Sequence, residues 1–79
     1  MRANRAYELR VNRHGRGLFG RAPDTLDSIE VLEIETGEIA LFWDLLPNQT
    51  RRMARALRAD LANLDAAAFI EKWGRYQAG

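Results

Sequence analysis

Ile29-Glu-Val-Leu-Glu-Ile-Glu-Thr-Gly-Glu-Ile-Ala-Leu-Phe-Trp43 decides the fold of this chain. Two β-branched, apolar runs flank Thr36-Gly37, which is the pattern of a β-hairpin. A two-residue turn at Thr36-Gly37 sets Glu35 against Glu38, Ile34 against Ile39, Leu32 against Leu41 and Glu30 against Trp43. Side chains alternate across a strand. On that register one face carries Leu32, Ile34, Ile39, Leu41 and Trp43, a core face. The opposite face carries Glu33, Glu35, Glu38 and Ala40, together with Ile29, Val31 and Phe42. Its apolar end needs a cover from the same chain or from a partner. Gly37 takes a positive φ at no steric cost, so a turn with a bulge is open as well. A bulge slips the register by one residue and exchanges the faces on one strand.

Upstream, Tyr7, Leu9 and Val11 alternate with Glu8, Arg10 and Asn12, which predicts a half-buried strand. Arg10 is placed to lie against an acidic strand of the hairpin. His14-Gly-Arg-Gly17 is a turn by composition, and residues 18–21 suggest a short fourth strand that makes 7–21 a first hairpin. Gly20 weakens that strand. Pro23-Asp24-Thr25 turns the chain, and 25–28 reads as loop.

After Trp43 the period changes. Pro47 is suited to a first helical turn. Met53, Leu57, Leu61 and Leu64 recur at i, i+4, i+8 and i+11, with Leu46 and Thr50 on the same side, which predicts a helix over 47–63. Asp65 is a candidate cap for a second helix, with Leu64 and Phe69 spaced as a hydrophobic staple. Ala66, Phe69, Ile70, Trp73 and Tyr76 form its apolar stripe, and Gly74 marks its end. Trp43 and Trp73 are placed to meet across sheet and helix. With Phe42 and Tyr76 they alternatively form an exposed aromatic patch. The expected fold is α+β: an antiparallel sheet of three to four strands, with the hairpin 29–43 central, followed by two C-terminal helices packed on one face. The 79 residues make a single small domain, with residues 1–4 and 77–79 expected to fray.

Composition excludes several function classes. Cysteine is absent, so neither disulfides nor thiolate metal sites nor a thiol nucleophile exist. No run reaches the roughly 18–20 apolar residues that span a bilayer, and the N-terminus lacks a signal-peptide core, so the cytoplasm is the expected location. Ser28 is the only serine and His14 the only histidine, far apart in the chain. Nothing pairs a nucleophile with a base, so we expect no enzyme, no cofactor and no small-molecule substrate. The acids Glu30, Glu33, Glu35, Glu38 and Asp44 lack a calcium-loop pattern, so no metal is expected.

The net charge of +1 hides a division. Residues 1–23 carry +5, residues 24–44 carry −7 and residues 45–79 carry +3. Compensation between neighbouring strands accounts for this as ordinary sheet chemistry. A two-signed surface that selects a charged partner is the sharper reading. The basic residues are eleven arginines and one lysine, a bias that a GC-rich bacterial genome also produces. Arg51, Arg55 and Arg58, with Arg52 nearby, lie at helical spacing opposite Met53, Leu57 and Leu61. They form either a solvated helix face or a set of phosphate contacts. Asn48 and Gln49 are the nearby side chains able to reach base edges.

Two functions follow. The first is a non-enzymatic protein-interaction or dimerisation domain, a homodimer or an adaptor, with Ile29, Val31 and Phe42 as the partner surface. The second is a nucleic-acid-binding accessory protein that uses Arg51, Arg52, Arg55 and Arg58.

Overall fold

In the computed structural model, residues 1–13 and 26–77 are described. The elements run α1 (Ala3–Ala6), β1 (Tyr7–Asn12), β2 (Asp27–Glu33), β3 (Ile39–Leu45), α2 (Pro47–Asn63) and α3 (Ala66–Gly74). The strands form one antiparallel sheet in the order β1-β2-β3. The helices cover one face of it, as the α+β pattern requires. The possible strand at 18–21, the Gly-Arg-Gly turn and His14 lie outside the described residues.

The hairpin adopts the slipped register. Ile29 lies opposite Trp43 and Val31 opposite Leu41, while beyond the irregularity Leu32 lies opposite Ile39. Ala40 is therefore the extra residue, a bulge on β3. The Glu33 N–H donates to the Glu38 carbonyl at 2.8 Å, and the Gly37 N–H donates to the Glu33 carbonyl at 2.7 Å. Residues 34–38 thus form a five-residue loop rather than a two-residue turn. Gly37 sits at φ 77°, where a Cβ is disfavoured.

This register corrects the face assignment. Ile29 and Val31 are 0% exposed and face the helices with Leu41 and Trp43. Ile34 and Ile39, expected in the core, are 52% and 53% exposed. Leu32 is buried as well but lies apart from the helix-facing cluster, on the opposite side of the sheet. The slip moves one strand's whole apolar set to the other face. β2 also begins earlier than expected, since Asp27 and Ser28 belong to the strand and not to a loop. Asp27 is 4% exposed, and its Oδ2 has no hydrogen-bond partner among the described residues.

Both helices follow local signals. α2 starts at Pro47, whose missing N–H is one the first turn does not use. Leu46 cannot cap through its side chain. Instead Gln49 Oε1 accepts the Leu46 N–H at 3.2 Å, and the Thr50 hydroxyl donates to the Leu46 carbonyl at 3.1 Å. Thr50, Ala54, Leu57 and Leu61 are the buried stripe of α2, while Leu46 is exposed. Asp65 occupies the cap position of α3, but its side chain makes no capping bond. The Ala66 N–H donates to the Met1 carbonyl instead.

The core closes between sheet and helices. Ile29, Val31, Leu41 and Trp43 pack with Ala54, Leu57, Leu61, Phe69 and Trp73. Each large side chain so buried contributes about 1.5–3 kcal/mol. The Trp43 and Trp73 rings meet edge to face, with centroids 6.1 Å apart, as their spacing predicts. Tyr7 stacks on Phe69 at 5.7 Å.

Arg2, Ala3 and Gln77 are tied to the fold by hydrogen bonds. Ala3 is fully buried, and its N–H donates to the Leu64 carbonyl at 2.8 Å. Arg2 donates to the Asn63 carbonyl at the C-terminus of α2, where the helix dipole favours a cation. At the other end, the Gln77 amide both accepts the Phe42 N–H and donates to the Phe42 carbonyl, each at 3.0 Å. One side chain thereby mimics a neighbouring strand on the open edge of β3.

Candidate functional site

The arginines of α2 come together as their spacing requires. Asn48, Arg51, Arg52 and Arg55 line a shallow concavity of about 240 Å³ at the start of the helix. Arg58 stands one turn further along the same exposed side. The first turn of α2 holds no acid, so the positive end of the helix dipole adds to the field of the arginines.

Among the described residues no carboxylate forms an ion pair with this group. Among the described residues the ion pairs are Arg10 with Glu8 at 3.9 Å and Lys72 with Asp60 at 2.7 Å. Asp44 stands just before α2 but makes no ion pair among the described residues, and the loop acids of the hairpin lie at the other end of β3. Glu33, Glu35 and Glu38 cluster at the loop before β3, whereas α2 begins just after β3 ends. Seven residues of strand at roughly 3.4 Å each place about 24 Å between that loop and the start of α2. Glu33 accepts the Thr36 hydroxyl instead, at 2.9 Å. Arg10 lies opposite Glu30 on β2, as its alternation places it, but its ion pair is with Glu8 of its own strand.

A contrasting concavity of about 470 Å³ lies between the N-terminal segment and the hairpin loop. There Arg5 shares the lining with Glu33 and Glu35, so the charges are mixed and the wall suits no polyanion.

Beside the arginines lies a groove that sequence reasoning did not find. Leu45, Gln49, Arg52, Met53, Ala56 and Trp73 line about 380 Å³ between the end of β3, α2 and α3. Met53 belongs to the apolar stripe of α2, yet it is only half-buried. The signal available was that Met53 stands near Arg52 and Ala56 rather than in the middle of the stripe. That placement decides nothing until α3 is docked. Arg52 is shared between groove and concavity, so the two are contiguous.

The three apolar residues expected to meet a partner divide. Ile29 and Val31 are core and unavailable to one. Phe42 alone is exposed, at 42%. Tyr76 is exposed as well, whereas Trp43 and Trp73 are not, so the tryptophans belong to the core and not to a surface patch. The Trp73 indole N–H donates to Asp60 Oδ2 at 2.9 Å, and Lys72 lies 5.4 Å over the same ring. Ser28 is buried in β2, and the Asn12 side-chain amide donates to its hydroxyl at 3.3 Å. Among the described residues no group of three or more His, Asp or Glu side chains is placed to hold a metal ion, and no helix is long and apolar enough to cross a membrane.

Comparison of the chain with family models, with curated proteins and with solved structures finds no match.

Proposed function

We propose that this chain is a non-enzymatic accessory factor that binds nucleic acid through phosphate contacts from the arginine face of α2. One observation carries the reading: Arg51, Arg52 and Arg55 converge with Asn48 on a single concavity, and none of them has an ion-pair partner among the described residues. Arginine is also the side chain best matched to phosphate oxygens, through its planar fork of donors.

The test is fluorescence anisotropy of a labelled oligonucleotide against salt. If three phosphates are neutralised, log K falls against log salt with a slope of about −2.1 on a single strand and about −2.7 on duplex. The double substitution Arg51→Gln/Arg55→Gln should reduce the single-strand slope by about 1.4. An affinity and slope unchanged by that substitution would remove the reading.

A second reading rests on the hairpin. Phe42, Ile34 and Ile39 are apolar and exposed, and together they supply a surface for a protein partner or a second copy. Sedimentation of the wild type beside Phe42→Asp tests it. A concentration-dependent dimer that the substitution abolishes supports self-association, and a monomer at all concentrations excludes it.

A further inference from the structure

We infer that the groove beside the arginines seats an unstacked nucleobase, so that the ligand is single-stranded nucleic acid rather than duplex; this rests on the phosphate-binding reading above. The groove has an apolar floor of Leu45, Met53, Ala56 and Trp73. Its rim carries a cation, Arg52, and an amide, Gln49. Gln49 spends its carbonyl oxygen on the Leu46 N–H, and its NH₂ donors have no partner among the described residues. A flat ring with hydrogen-bond acceptors on one edge and an anionic group attached satisfies all three features at once. That is the chemistry of a nucleotide.

Contiguity supplies the rest of the argument. Arg52 belongs to both cavities, so a phosphate held by Arg51, Arg52 and Arg55 puts its own base at the mouth of the groove. Charge complementarity therefore selects an anionic occupant over an apolar peptide. A duplex satisfies the arginines but keeps its bases stacked and paired, so it leaves the groove empty. Single strands expose their ring faces, and recognition of such strands commonly combines a basic track with a surface for bases.

The experiment compares three probes of equal length at one salt concentration: a DNA single strand, the same strand with abasic sites throughout, and a duplex. Wild-type protein should bind the single strand on the order of tenfold more tightly than the abasic strand. Only the single strand should shift the Trp73 indole N–H resonance. Ala56→Leu fills the groove without altering charge, on a residue that is exposed and with nearly equal helix propensity. It should erase the preference and leave abasic-strand affinity unchanged. Equal wild-type affinity for the intact and abasic strands overturns the base-seating proposal while phosphate binding stands. A preference that survives Ala56→Leu also overturns it. Binding of none of the three probes overturns both readings.

Discussion

The matched pair Ile29→Thr and Ile34→Thr decides the hairpin register. Threonine keeps the β-branch, so strand propensity is nearly constant and the substitutions differ in environment alone. At Ile29 the change removes the δ methyl and exchanges the γ1 methylene for a hydroxyl, at a site that is 0% exposed and faces Trp43 across the sheet. Losing the buried methyl costs about 1 kcal/mol, and an unsatisfied buried hydroxyl costs about 1–3 kcal/mol more. The sum is roughly 2–4 kcal/mol, from a total of about 4–12 kcal/mol for a domain of this size. At Ile34, which is 52% exposed, the hydroxyl reaches water, and the change should stay within about 0.5 kcal/mol. Urea denaturation followed by tryptophan fluorescence measures both. With a slope near 1 kcal/mol per molar, the two midpoints should separate by about 1.5 M or more. Should Ile29→Thr unfold the domain outright, Ile29→Val at about 1 kcal/mol keeps the measurement in range. Equal losses, or a larger loss at Ile34, would refute the bulged register and restore the two-residue turn.

Three further outcomes are expected. Gly37→Ala should cost about 1 kcal/mol through backbone strain at φ 77° rather than through a clash, because nothing lies within 4 Å of the added Cβ; an unchanged urea midpoint would contradict this. Gln77→Ala should raise the hydrogen-exchange rate of the Phe42 amide about fivefold, the equivalent of about 1 kcal/mol of hydrogen bonding, without altering amides of the β1–β2 ladder. Asp27→Val should stabilise the domain by about 1–3 kcal/mol, since it removes a buried oxygen that has no hydrogen-bond partner among the described residues; a loss of stability in thermal melts would mean that the carboxylate is held.

What the sequence by itself determined were the elements whose signals are local. Pro47, the stripe Met53-Leu57-Leu61 and the restart at Asp65 mark both helices, because proline's place in a first turn and helical periodicity operate within a few positions. The alternation of Tyr7, Leu9 and Val11 likewise places β1 and its inward face. The arginine face was legible for the same reason, since spacing along one helix predicts which side chains are neighbours.

Only the tertiary structure decided which side of the hairpin is core. β2 is apolar on both faces, with Ile29 and Val31 on one and Leu32 on the other, so alternation does not choose between them. The choice falls to the loop 34–38 and the bulge at Ala40, and those are set by how Trp43 and Leu41 meet α2 and α3. Tertiary structure likewise pinned Ala3 and Gln77, whose partners Leu64 and Phe42 lie far away in the chain. It also set the acidic loop at the other end of β3 from the start of α2, and the α2 arginines make no ion pair among the described residues. Net charge and composition are blind to that distance, because Coulomb attraction between exposed groups fades over a Debye length of about 10 Å.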